Sequence, residues 1–269
     1  MGEIKMNEKC EGSTEGSDQG CSCENELNPY VIPEINKDGF KRFVNEKEYD
    51  QEAHLRVYTL TTVDVIDGKI YQKGSAPNFK GDVMTLSTCK HDMRRTLYKN
   101  YWDEGEKNLW IAGFAKSTLR KKEGFSDSIL LFLGKVEQIH ETFYEAWNEI
   151  DEKTGLEKDA SKHPLGDFYR PNKDLKEPSL KANDFKKCSN HSHGEDSFEK
   201  DVNTGLIFVF DSDKTFVFGP RGKEIDDKKH KKHFERNTGL DGYLTERNRI
   251  DRYGRKTKLR KFIKGITGG

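Results

Sequence analysis

Residues 128–137 read Ser128-Ile129-Leu130-Leu131-Phe132-Leu133-Gly134-Lys135-Val136-Glu137, an almost continuous apolar run of the length of a strand. Such a run is typical of a strand that is buried on both faces of a sheet. A second apolar stretch precedes it along the chain, Asn108-Leu109-Trp110-Ile111-Ala112-Gly113-Phe114. The sequence therefore predicts two central strands at the heart of one sheet.

Further elements are predicted on both sides of these strands. Residues 54–66 alternate and are rich in β-branched side chains, and Asp67-Gly68 is a hairpin turn signal before residues 69–71. Residues 82–87 predict a short strand, residues 91–99 and 142–150 have helical spacing, and residues 204–210 and 215–219 predict a closing hairpin. This order indicates an α+β fold with a mixed or mainly antiparallel sheet and two or more helices. An alternative is that the sheet curls into a small PUA-like barrel.

Composition suggests how the chain is divided. Of its 269 residues 32% are hydrophobic and 35% are charged, which leaves limited material for a core. The formal net charge of +0 hides an asymmetry, because residues 1–50 are acidic and residues 221–269 are basic. We therefore expect an acidic, largely disordered extension at 1–50, a domain at 54–220 and a basic extension at 221–269.

Cysteine usage bears on the compartment. The five cysteines are irregularly spaced, and the chain has no apolar signal segment and no long apolar run. This pattern favours a cytoplasmic protein with no membrane contact. Cys10, Cys21 and Cys23 lack a fourth ligand in a folded spacing, so no metal site is predicted there. The sequence identifies no cofactor and no oligomeric state.

Two neighbouring runs, residues 75–79 and 86–94, bring polar side chains into one supersecondary unit. They contain Asn78, Cys89, Lys90 and Arg94. Lys90 and Arg94 have the charge to neutralise a phosphate, and the amide of Asn78 can read the edge of a base. Cys89 is a candidate nucleophile if a neighbour activates its thiol, and the alternative is a small buried residue at a strand end.

Two aromatic residues and a histidine-rich stretch complete the candidate site. Trp110 or Tyr169 could stack on a base. The favoured alternative for Trp110 is a core residue, because it lies in an apolar strand. His191 and His193 lie two residues apart, and with Asp167 or Asp196 they could perform acid–base chemistry or bind a divalent metal. The alternative is a polar surface loop. If the loop of the two histidines folds over the turn at Cys89, catalysis is favoured.

The same motifs carry a resemblance to a known family. Read in order, they are the Ala-Pro-Asn stretch before Phe79, the Thr-Cys-Lys stretch at 88–90, the strand of Trp110, the Gly-Asp-Phe-Tyr loop at 166–169, the histidine stretch and the terminal hairpin that ends at Gly219. From about residue 56 to residue 219 the chain resembles the nucleotide modification associated domain of type 2.

The chain departs from that pattern at several places. Phe79 stands where the family has a second proline, His91 replaces the proline after Cys-Lys, and Asn108-Leu109 replaces Gly-Asp before the tryptophan. The Gly-Asp loop at 166–169 is one residue shorter than in the family. The sequence is therefore identified as a divergent member.

Three functions are compatible with these observations. The resemblance implies a nucleotide or nucleic-acid ligand, with DNA favoured over RNA, and the first hypothesis is a binding domain that recognises a modified base or nucleotide. The second is an enzyme that acts on a nucleotide or a DNA base, with catalytic residues Cys89, Asp167, His191 and His193. The third is a protein-interaction domain, which predicts no convergent site.

The C-terminal extension has a composition of its own. Residues 228–233 and 247–264 combine many cations with nearby aromatic residues, Tyr243, Tyr253 and Phe262. This mixture suits phosphate contact and base stacking. The alternatives are a solvated basic tail, or a tail that folds back on the acidic N-terminus.

Overall fold

The protein is seen in a computed structural model that describes residues 29–47, 49–50, 52–103, 105, 107–115, 125, 128–225, 228–241, 243–244 and 254–267. Its strands are β1 Tyr30–Val31, β2 Glu34–Ile35, β3 His54–Leu60, β4 Val63–Ile66, β5 Lys69–Gln72, β6 Thr85–Leu86, β7 Leu109–Ala115, β8 Ile129–His140, β9 Arg170–Pro171, β10 Phe185–Lys186, β11 Ile207–Phe218, β12 Lys223–Glu224 and β13 Arg255–Lys258. Its α-helices are α1 Lys37–Asn45, α2 His91–Leu97, α3 Phe143–Glu149, α4 Glu152–Glu157, α5 Glu195–Thr204, α6 Lys228–Thr238 and α7 Leu259–Thr267. The predicted disorder of residues 10–23 lies outside the described residues.

One large sheet organises the molecule. Its strand order is β13-β3-β7-β8-β11-β2, and β12 and β6 pair with β8 and β11. Among the described strands of this sheet, β3 and β7 form the parallel pair and the other pairs are antiparallel. The predicted α+β class with a mainly antiparallel sheet is confirmed. The barrel alternative is wrong, because within the described residues β13 and β2 are open edges and the sheet does not close.

Both faces of the sheet are covered, which explains the continuous apolar runs. In β7, Leu109 and Ile111 point into a first core cluster, which is completed by α2 and the β4–β5 hairpin. The alternate residues Trp110, Ala112 and Phe114 point into a second cluster, which is formed with α1, α6 and α7. Side chains of successive strand residues face opposite sides, so a strand buried on both sides must be apolar throughout.

The predicted closing hairpin at residues 204–219 is wrong. Residues 207–218 form the single strand β11, and both halves pair with β8: Phe210 lies opposite Val136 and Thr215 opposite Gly134. The intervening residues bulge out of the ladder, and Asp211 Oδ1 accepts the backbone N–H groups of Asp213 and Lys214 at 2.9 and 3.1 Å. The long partner strand therefore converts the turn signal into a bulge.

The two predicted extensions contribute to the core where the structure describes them. Phe40 and Phe43 of α1 belong to the second cluster, as do Phe234 of α6 and Phe262 of α7. β13 adds an edge strand antiparallel to β3. Residues of 29–50 and 221–269 thus complete the same core as residues 54–220. None of the described helices is long and apolar enough to cross a membrane.

A third cluster attaches α3 and α5 at one end of the sheet. Phe143 of α3 packs against Tyr169, and Tyr169 packs against Phe198 of α5, with ring centroids 4.8 and 4.7 Å apart. Thr142 begins α3 with a capping box that is closed by Glu145. This packing presses α5 and the loop before it against the start of α2.

Candidate active site around Cys89

Cys89 lies in a sharp turn between β6 and α2. Cys89 has φ 57° and Lys90 has φ 50°, so two successive non-glycine residues adopt the left-handed conformation. This conformation is costly for side chains with a Cβ atom, and it persists only where the surroundings impose it. Here the N–H of Cys89 donates to Asp201 Oδ1 at 2.9 Å, and Arg94 Nε donates to the Cys89 carbonyl at 2.9 Å. The turn therefore holds the thiol in a fixed direction.

The thiol belongs to a chain of three side chains. Cys89 Sγ lies 3.0 Å from His193 Nε2, and His193 Nδ1 lies 2.6 Å from Asp201 Oδ2. A carboxylate accepts only, so Nδ1 carries a proton and Nε2 faces the sulfur. Nucleophilic catalysis requires a nucleophile, a base within hydrogen-bond reach of it and a third group that orients the base. Cys89, His193 and Asp201 have this arrangement.

Asp201 is the centre of this network. Its carboxylate is fully buried on α5, and its Oδ1 also accepts from His91 Nε2 at 2.6 Å and from Arg94 at 3.4 Å. Its Oδ2 accepts the Tyr169 hydroxyl at 3.1 Å. The donors come from the Cys89 turn and α2, from Tyr169 and from the histidine loop. The five donors consequently fix the relative positions of the Cys89 turn, the histidine loop and α5.

The charges of the network follow from these bonds. Burial opposes ionisation of Asp201, but the bonds from His193 and His91 and the charge of Arg94 outweigh it and hold its pKa well below the usual range. Burial likewise lowers the pKa of His193, but its bonds to Asp201 and Cys89 dominate and raise that pKa to about 10. His193 is therefore an imidazolium at neutral pH.

His191 has a supporting position. It is buried, its Nε2 donates to the Gly166 carbonyl at 2.7 Å, and its Nδ1 accepts the backbone N–H of His193 at 3.1 Å. Burial is the main cause that lowers its pKa to about 4, so the ring is neutral at pH 7. His191 thus fixes the loop that carries His193, and its ring nitrogens are both occupied by backbone groups.

Asn78 and Asp167 form a second buried cluster with Thr85, Ser87 and Lys158. Asp167 Oδ2 accepts from Thr85 at 2.7 Å and from Ser87 at 2.5 Å, and burial raises its pKa. Asn78 Nδ2 donates to the Leu165 carbonyl at 3.2 Å, and Lys158 Nζ lies 3.4 Å from Asn78 Oδ1. Burial lowers the pKa of Lys158 to about 8. This cluster ties β6 to the loop before Tyr169.

The predicted site residues are thus separated into three places. Cys89, His193, Arg94 and Tyr169 converge on Asp201, and Lys90 adjoins them with its ammonium 5.4 Å from the centroid of the Tyr58 ring. Asn78 and Asp167 lie in the second buried cluster. Trp110 is only 2% exposed and packs on Phe43 across a centroid distance of 5.3 Å, which matches its interpretation as a core residue.

Sequence reasoning missed Asp201. The sequence does contain a pattern that indicates its burial. Phe198, Asp201 and Val202 occupy positions i, i+3 and i+4, which share one face of a helix. An acidic residue on that apolar face is buried, and a buried carboxylate requires charged or hydrogen-bonding partners. Within the described residues no group of three or more His, Cys, Asp or Glu side chains is arranged to hold a metal ion.

Comparisons with known proteins show no relative of this chain. No family model, no curated protein and no solved structure matches this chain. The class of the protein therefore rests on its fold and its site: an α+β protein with a Cys-His-Asp constellation at a strand-to-helix turn.

Proposed function

We propose that this protein is an enzyme that uses Cys89 as its nucleophile, His193 as its acid–base residue and Asp201 as the residue that orients His193. The proposal is carried by one observation, the continuous chain from Cys89 Sγ to His193 at 3.0 Å and from His193 to Asp201 at 2.6 Å. An interaction domain would not require three reactive groups to converge, and simple ligand recognition would not require a thiol against an imidazolium.

The chemistry follows from the charge of the pair. In the thiolate–imidazolium pair that we propose, the thiol proton already lies on Nε2 of His193, and the sulfur attacks an electrophilic carbon of the substrate with its electron pair. The bond from that carbon to the leaving group breaks, and Nε2 gives its proton to the leaving group. The neutral His193 then takes a proton from a water that attacks the same carbon, which breaks the carbon–sulfur bond and restores the thiolate–imidazolium pair. Asp201 stays ionised throughout and keeps the Nδ1–H directed away from the sulfur, while Tyr169 and Arg94 hold the carboxylate in place.

The substrate class comes from the sequence. We propose a nucleotide or a nucleic-acid base, in line with the resemblance to a domain associated with base modification. The half-buried ammonium of Lys90, next to Cys89, supports an anionic substrate. We also propose a cytoplasmic location, because the described cysteines Cys89 and Cys188 are free thiols and a thiol nucleophile has to remain reduced.

Alkylation by iodoacetamide tests the nucleophile. At pH 7 we expect Cys89 to react at least about tenfold faster in the natural protein than in His193→Ala, because the imidazolium stabilises the attacking thiolate. The two rates should converge above pH 10, where His193 loses its proton. Peptide mass spectrometry measures each cysteine separately, and buried Cys188 is the internal control. Equal rates at pH 7 would contradict the proposed pair.

The substrate class is tested with a panel of free nucleotides and of unmodified and base-modified DNA and RNA. We expect one of these ligands to change chemically and the change to be lost in Cys89→Ala. A ligand that binds without conversion would support the alternative of a modified-base reader. Absence of both binding and conversion across the panel would overturn the nucleotide class while leaving the alkylation result to decide on the nucleophile.

A further inference from the structure

The helix α6 has one strongly basic face. Lys228, Lys232 and Arg236 follow each other at intervals of four residues, and Lys229 lies beside them. All four are exposed, and none of them forms an ion pair with a described residue. At about 1.5 Å of rise per residue, the row extends for roughly 12 Å along the helix.

The opposite face of α6 is occupied by the core. Phe234 packs on Phe262 of α7 with ring centroids 5.6 Å apart, and Thr238 and Lys231 are also buried. Glu235 turns inward and accepts the backbone N–H of Leu244. The helix therefore has no apolar face left to insert into a membrane, and its one acidic side chain is directed away from the row.

A pocket lies against the basic face of α6. The pocket has a volume of about 650 Å³, and the described residues that line it are all basic: Lys228, Lys229, Lys232, His233 and Arg236. His233 Nε2 has no hydrogen-bond partner among the described residues. A polar atom in this condition needs a water or another hydrogen-bonding group to satisfy it.

We propose that this face of α6 binds the phosphate backbone of a nucleic acid. The row presents point charges at regular intervals, which matches a polyanion of repeating phosphates, and it lacks the exposed apolar anchors that protein interfaces concentrate at their centres. The site lies on α6, and none of its residues belongs to the Cys89 constellation. It therefore supplies affinity for the backbone independently of the chemistry at the thiol.

Charge reversal tests this face. Binding of a fluorescein-labelled duplex DNA is measured by anisotropy at several KCl concentrations, for the natural protein and for Lys229→Glu/Lys232→Glu/Arg236→Glu. We expect the variant to bind at least about tenfold more weakly at low salt. Its slope of log affinity against log salt should fall by up to about 2.7, which is about 0.9 for each phosphate that the variant no longer neutralises.

The matched control reverses three exposed lysines elsewhere, Lys173→Glu/Lys176→Glu/Lys181→Glu, with the same change in net charge. We expect it to retain affinity within about threefold. The α6 triple variant should keep the Cys89 alkylation rate of the natural protein, which separates this site from the proposed catalysis. Duplex RNA and single strands of equal length identify the preferred backbone. Equal losses in both triple variants, no binding to any nucleic acid, or binding confined to anionic phosphatidylserine vesicles would each overturn the proposal.

Discussion

Asp201→Ala is expected to lower the free energy of unfolding by about 3–5 kcal/mol, because it leaves the buried guanidinium of Arg94 and the imidazolium of His193 without their shared counter-charge. Urea unfolding followed by circular dichroism measures this loss. Glu199→Gln is the control, since Glu199 is exposed on the same helix and its replacement should change stability by no more than about 0.5 kcal/mol. A loss below about 1 kcal/mol for Asp201→Ala would contradict the central role of this carboxylate.

Asp201→Asn separates charge from shape at the same position. The amide keeps one acceptor oxygen, but its NH₂ group must face a donor, either the Nδ1–H of His193 or the donors on Oδ1. We expect an intermediate loss of stability together with a loss of Cys89 alkylation as large as that of His193→Ala. Retained alkylation would show that Asp201 supports the fold without orienting His193.

The pH dependence of this stabilisation has a defined sign. The folded-state pKa of Asp201 is depressed, so its contribution is present above the unfolded value of about 4 and is lost as the pH falls further. The pKa of His193 is raised to about 10, so its contribution is complete below the unfolded value of about 6.5 and is lost as the pH rises towards 10. The difference in unfolding free energy between the natural protein and Asp201→Asn should therefore be largest between about pH 4 and 6.5.

The contrast between β7–β8 and β11 shows which parts of the fold could be predicted from sequence. The two central strands are apolar throughout, and that pattern has one stable solution, burial on both faces of a sheet. Residues 211–214 contain a strong turn signal, but the partner of each flanking segment is decided by β8, which lies more than sixty residues away. Local chemistry fixes the Asp211 turn, while long-range pairing decides whether it closes a hairpin or forms a bulge.

The candidate site, like the fold, could be predicted from the sequence only in part. The residue types Cys89 and His193 stand out because a thiol and a histidine in polar surroundings are chemically conspicuous, and their proximity depends on the packing of Tyr169 between α3 and α5. The sequence predicts Arg94 as a phosphate ligand, yet the structure buries its guanidinium against Asp201 and the carbonyls of Gly205 and Leu206. A cation in a sequence does not reveal whether its counter-charge is a ligand or a carboxylate a hundred residues away.

Gly205→Ala is expected to be among the most destabilising single substitutions in this chain. Gly205 ends α5 with φ 54° and ψ −133°, and an added Cβ atom would collide with the backbone carbonyl oxygen of Glu141. Because the obstacle is backbone, α5 or the end of β8 must shift, and Arg94, which donates to the Gly205 carbonyl, must shift with it. Strain and overpacking together predict a loss of at least about 3 kcal/mol in urea unfolding.

Gly239→Ala is the matched control for that substitution. Gly239 also has a positive φ, 70°, but an added Cβ atom there meets nothing within 4 Å. Only the conformational cost of about 1 kcal/mol is expected. Arg94 donates hydrogen bonds to the Gly205 carbonyl, to the Cys89 carbonyl and to Asp201. Gly205→Ala should therefore also slow Cys89 alkylation, whereas Gly239→Ala should leave it unchanged. Equal effects of the two alanines on stability and alkylation would mean that the close approach of α5 to β8 does not hold the site together.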